Sequence, residues 1–115
     1  MKLVIAIIQP TKLESVRAAL AEIAVERLTV TDAEGYGRQR GHLPTYRGIE
    51  YQTNLLRKVV VEIVVNDDFL ERTLATIENV ARTGPTGVIG DGKVFVLPVE
   101  QAIQIGGNQR GPSAV

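Results

Sequence analysis

Two strand–helix–strand units in succession predict an α+β fold of the split βαβ (βαββαβ), ferredoxin-like class. Three features carry that expectation. Leu3–Ile8, Val59–Val65 and Val94–Leu97 are short runs rich in branched residues, as buried strands are. The first two are each followed by a stretch with apolar residues at helical spacing. Proline, glycine or aspartate then marks where the chain has to turn.

Taken in order, the first strand stops at Gln9-Pro10, because proline has no amide to give a ladder. Thr11-Lys12-Leu13-Glu14 has the spacing of a capping box, so a helix is expected to open there. Leu13, Val16, Leu20, Ile23 and Ala24 form its apolar face, and Leu28–Glu34 reads as a second strand. In the second unit Val59–Val65 is the strand and Asn66-Asp67-Asp68 the helix opening, with carboxylates where the helix dipole favours them. Leu70, Leu74, Ile77 and Ala81 mark the buried stripe of the second helix. Val94–Leu97 is the fourth strand, and Gln101–Ile105 alternates like a short edge strand. The domain is expected to occupy residues 1–105, with 106–115 a mobile tail that has no apolar period.

Two helices cover only one face of such a sheet. Val59–Val65 is apolar on both parities, which is how a strand buried on both faces reads. The second face therefore needs a cover, and self-association into a closed ring supplies one.

A chain of 115 residues fits a single domain. Thirteen basic residues balance thirteen acidic ones, so no overall field favours nucleic acid or a membrane surface. The absence of cysteine removes disulfide and thiolate chemistry and is compatible with the cytoplasm. The apolar start of the chain ends at Pro10 without a cleavage pattern, and no run approaches the roughly 18–20 apolar residues of a membrane span.

The segment Gly35–Lys58 interrupts this grammar with about twenty polar, glycine-punctuated residues, longer than ordinary connections in compact domains. It holds Arg38, Arg40 and Arg47 and every tyrosine of the chain: Tyr36, Tyr46 and Tyr51. His42, the single histidine, reads as an exposed loop residue. A second glycine segment, Arg82–Lys93, carries Gly84, Gly87, Gly90 and Gly92. Close glycines let backbone amides approach an anion, and Lys93 adds a point charge, although the spacing is not that of a Walker A loop. Taken alone, such a segment also reads as a flexible connection.

Gly35-Tyr36-Gly37-Arg38-Gln39-Arg40-Gly41-His42, Tyr46-Arg47-Gly48-Ile49-Glu50-Tyr51 and Ile89-Gly90-Asp91-Gly92-Lys93-Val94-Phe95, in that order, resemble the PII signal-transduction family. The resemblance runs from Ile7-Ile8-Gln9-Pro10 to Ile105. It implies a cytoplasmic, non-enzymatic homotrimer that senses ATP or ADP and, with Mg-ATP, 2-oxoglutarate. The long segment would be the family's T-loop, about 37–57, acting on an ammonium transporter or nitrogen-assimilation enzymes. The resemblance further implies that Ile7, Thr29 and Val64 surround the adenine, while Gly35, Gly37, Arg38 and Gln39 line the cleft. Thr86, Gly87, Gly90, Asp91, Gly92 and Lys93 would form the phosphate side. Gln39, Lys58 and Gly90 would meet 2-oxoglutarate, with Gln39 also near the magnesium, and Tyr51 matches the family's uridylylation position.

Two departures stand out. Gln101, Gln104 and Gly106 occupy the register in which the family usually places phosphate-clamping arginines. Charge-assisted bonds contribute about 1.5–3 kcal/mol each, so losing two weakens ATP by about two to four decades unless Arg82 or Arg110 substitutes. An insertion at Thr83-Gly84-Pro85-Thr86-Gly87 lengthens the glycine loop, and Val88 stands where a lysine is frequent. These departures keep open a divergent sensor of ADP or AMP with an anion such as bicarbonate, serving carbon uptake. Single-stranded RNA binding, which the fold also supports, needs sheet aromatics, and Phe95 alone qualifies. Neither paired carboxylates nor a nucleophile with its base appears, which argues against catalysis as the main function.

Overall fold

Alternation in the strands decides which face packs. In the computed structural model β1 (Lys2–Ile8) directs Val4, Ala6 and Ile8 to one side, and β3 (Tyr51–Val65) directs Val59, Val61, Ile63 and Val65 to the same side. Against them lie α1 (Leu13–Glu22), through Val16 and Leu20, and α2 (Asp67–Ala81), through Ile77 and Ala81. Fully burying each of these valines, leucines and isoleucines contributes about 1.5–3 kcal/mol, so this layer holds the domain together. Among the described residues the strands form one four-stranded antiparallel sheet in the order β2–β3–β1–β4, with β2 spanning Thr29–Arg40 and β4 Gly92–Pro98. This is the ferredoxin-like arrangement expected from the sequence. The structure describes the backbone of residues 1–40 and 51–115 and the side chains of 1–37 and 55–115. The expected loop residues between 41 and 50, His42 and Tyr46 among them, lie outside it.

Several boundaries differ from those the sequence suggests. Strand pairing continues past Glu34: Gly35 faces Leu56 and Arg40 faces Tyr51, so both roots of the long segment are a two-stranded ribbon. The alternation rule misses this because the sequence there is polar and glycine-punctuated, with no apolar period to read. The capping box does not form. Pro10–Lys12 is a 3-10 turn, α1 starts at Leu13, and no side-chain cap bond is made at either start. Ala24 is not on the helical stripe either, since it follows the helix end with φ of 64°, and Val25 is the residue that returns to the core. In α2, Thr73 is wholly buried on the stripe, its hydroxyl donating to the Phe69 carbonyl at 2.8 Å.

The end of the chain is ordered differently from the expectation. In place of an edge strand at Gln101–Ile105 there is a single bridge, Ile103 to Arg110. Residues 106–115, expected as a mobile tail, make contacts with the rest of the chain: Gly111 N–H donates to the Ala102 carbonyl at 2.8 Å, and Gly111–Ala114 forms a 3-10 turn. Asn66 explains the docking. Its side chain leaves α2 uncapped and instead donates Nδ2 to the Pro112 carbonyl at 3.1 Å.

The opposite sheet face carries Leu3, Ile5, Ile7, Val60, Val64, Phe95 and Leu97. Phe95 is 48% and Leu97 43% exposed, so no described element of this chain covers that face at β4.

Candidate ligand-binding site

The glycine segment between α2 and β4 is shaped by one carboxylate. Asp91 Oδ1 accepts the Thr83 hydroxyl at 2.7 Å, and Oδ2 accepts the backbone amides of Thr83 and Val88 at 3.0 and 2.8 Å. Desolvation pushes the Asp91 pKa up, but the bonds from Thr83 and Val88, helped by the Lys12 charge, outweigh it and hold the carboxyl below 3.8. A depressed carboxylate contributes stability above its unfolded value and loses it as pH falls through the folded one. The clasp therefore holds at neutral pH. We expect the Thr83 and Val88 amide resonances to move together on acidification with a midpoint below 3.8, and a midpoint at or above 3.8 contradicts the clasp. Asp91, expected to touch nucleotide, thus spends its oxygens on the loop itself.

Gly92 sits where the loop meets the sheet. At φ 118°, its ideal Cβ would lie 1.8 Å from the Ile7 carbonyl oxygen, so only glycine lets β4 begin against β1. Gly35 and Gly37 differ, since a Cβ at either meets nothing within 4 Å.

Behind the loop lies a cavity of about 650 Å³ between the end of α2 and β4. Thr86, Gly87, Asp91, Gly92 and Lys93, all expected on the phosphate side, line it. So does Arg82, a second cation beside Lys93, whereas Arg110 is bridged to Ile103 in the chain end.

At the rim of the loop two donors converge on one carbonyl. Lys58 Nζ donates to Gly90 O at 2.6 Å, and Gln9 Nε2 donates to the same oxygen at 2.7 Å. Burial lowers the Lys58 pKa from its ordinary 10.5, while the negative charge of Asp91 pulls the other way. An ammonium that has lost water gains from an anion placed beside it. In the sequence Gln9 reads as the polar stop before Pro10 and as part of the Ile7–Pro10 run of the resemblance, with no role attached to it.

The expected adenine residues are not gathered in one protomer. Ile7 pairs with Lys93 and Val60, next to the loop. Val64 lies four positions farther along β3, about 13 Å at strand rise. Thr29 and Val64 instead line a separate hollow with Leu3, Arg27 and Val115. The side chains of Arg38, Gln39 and Tyr51 lie outside the described residues, although their backbone is paired in the ribbon. Among the described residues no group of three or more His, Cys, Asp and Glu side chains could hold a metal, and no helix is long and apolar enough to cross a membrane.

The family model described as nitrogen regulatory protein P-II matches residues 1–109. The chain belongs to the P-II family. It is 49% identical to the nitrogen regulatory protein GlnK1 of Methanosarcina mazei, over all of this chain and 97% of that protein. Nitrogen regulatory protein P-II 1 of Escherichia coli is 47% identical over the full length of both. Among solved structures, GlnK of B. subtilis superposes with a TM-score of 0.78 at 31% identity, covering 99% of this chain and 97% of that one. These relatives are named nitrogen regulatory proteins, and the P-II chain is a member of that signal-transduction family.

Proposed function

We propose that this P-II protein is a cytoplasmic homotrimeric sensor of ATP or ADP and 2-oxoglutarate, acting on an ammonium transporter or nitrogen-assimilation enzyme through the segment between β2 and β3. The observation that carries the reading is the meeting of Lys58 with Gly90 at the rim of the clasped glycine loop. A desolvated ammonium beside a glycine cradle suits a carboxylate and a phosphate chain together. Gly87 keeps that loop closed on itself: at φ 80° a Cβ there would press on Asp91 Oδ2 at 3.1 Å, and Lys93 and Arg82 supply the positive charge that a phosphate chain needs. Magnesium would arrive with ATP, neutralising phosphate charge, and Gln39 is the residue proposed to stand near it. Tyr51 is the residue proposed for modification.

The sheet face that no described element covers supports the same reading. The loop and the Thr29–Val64 hollow are separate in one protomer, and the uncovered face bearing Phe95 and Leu97 calls for a neighbour. A second copy that covers this face can complete an adenine slot at the seam. Sedimentation should give three times the protomer mass of 12.5 kDa, and calorimetry should show ATP and ADP binding. A monomer indifferent to adenine nucleotides overturns the proposal.

A second reading has its own support. Gln104 donates its backbone amide to Gln109 O, and Gly106 brings no side chain, so the chain end offers no cation in the register of the missing arginines. Uptake of ADP or AMP with bicarbonate, and of ATP weakly or not at all, favours the divergent carbon-uptake sensor.

A further inference from the structure

We propose that Gln9 is a positioning residue of the anion site, holding the Gly90 carbonyl so that Lys58 is free to leave it for a ligand carboxylate. The inference rests on the sensor reading above. A carbonyl oxygen has two lone pairs, and here both are directed at protein donors: Gln9 Nε2 at 2.7 Å and Lys58 Nζ at 2.6 Å. The donors come from different strands. Gln9 follows the last residue of β1 with extended backbone and is locked on its far side by Pro10, so its side chain is anchored to the sheet. Lys58 reaches in from β3 on a long flexible stem.

The two donors are not equivalent. An ammonium gains more from a carboxylate than from a neutral carbonyl, so an incoming anion draws Lys58 away. A part-buried carbonyl stripped of its partners is costly. Gln9 removes that cost, because its amide remains on Gly90 O and the glycine loop keeps its place. Without Gln9, the carbonyl has Lys58 as its only described donor and competes with the ligand for it.

The test compares Gln9→Met, which keeps length without a donor, and Gln9→Glu, which keeps shape but places an anion beside Lys58. Each is titrated with ATP alone, then with 2-oxoglutarate at saturating Mg-ATP, alongside the unaltered protein. For Gln9→Met we expect 2-oxoglutarate to bind about tenfold more weakly, or ~1.4 kcal/mol, while ATP stays within about twofold. Gln9→Glu should lose more, and thermal melting should be unchanged in Gln9→Met. Three results overturn the inference: wild-type affinity for 2-oxoglutarate in either variant, a parallel loss for ATP and 2-oxoglutarate, or a lowered melting temperature accounting for the change. If the unaltered protein takes up no 2-oxoglutarate, the sensor reading falls and this inference with it. If it does and Gln9→Met matches it, the sensor reading stands and Gln9 has no part in it.

Discussion

Replacing Gly92 with alanine is expected to destabilise the domain by about 3 kcal/mol or more, a large share of the roughly 5–15 kcal/mol that holds a small domain together. The clash is with backbone. The new Cβ would lie 1.8 Å from the Ile7 oxygen, 2.9 Å from the Ile7 carbonyl carbon and 3.2 Å from Ile8 Cα, and none of these is the end of a flexible side chain. The φ of 118° adds strain whatever room is made. Relief requires β4 to draw away from β1 at the Ile8–Gly92 and Ile7–Lys93 pairs, which also moves Lys93 and opens the clasped loop. Urea denaturation measures this as a midpoint lowered by about 1–3 M at unchanged slope. Gly35→Ala is the control, because a Cβ there meets nothing, and it should unfold close to the unaltered protein. An unshifted midpoint for Gly92→Ala contradicts the close approach.

Lys58→Met should have the opposite profile: stability kept or slightly raised, and 2-oxoglutarate binding cut by about tenfold to a hundredfold. The lysine loses solvation in the folded state, as its lowered pKa records, so an apolar side chain of similar length costs the fold little there. Gly90 O keeps the Gln9 donor at 2.7 Å, so the loop is not left without support. The ligand, however, loses the cation. Calorimetry at saturating Mg-ATP reads the loss, and urea denaturation reads the stability. A variant that binds 2-oxoglutarate normally removes Lys58 from the site, and one that unfolds assigns the lysine to the scaffold.

What the sequence made legible follows from what local physics can encode. Val4, Ala6 and Ile8, and Val59 through Val65, declare a sheet because alternation and branching are local properties, and Ile77 with Ala81 declares the helix that covers it. Residues 35–40 and 51–56 hide their pairing, since their polar, glycine-punctuated sequence carries no apolar period. Thr11 shows the limit of a spacing motif: the pattern is present, but Pro10 draws the first turn into 3-10 geometry and the cap bond is not made. The docking of Pro112 on Asn66 joins residues 46 positions apart, which no local pattern announces.

The site divides in the same way. Thr86, Gly87, Gly92 and Lys93 were marked by glycine spacing and family motif, and they line one cavity. The roles inside the loop were not legible. The PII resemblance marks Asp91 for the nucleotide, and no local pattern announces that its carboxylate bonds Thr83 and Val88. Gln9 lies 81 positions from the carbonyl it holds, and nothing in its neighbours signals the contact.

The most direct test of the sensor is a calorimetric titration of 2-oxoglutarate into the full chain, once with saturating Mg-ATP and once with no nucleotide. A carboxylate site built from Lys58 and the loop around Gly90, completed by bound nucleotide, predicts saturable heat in the first titration and none in the second. No heat in either, or equal heat in both, contradicts it.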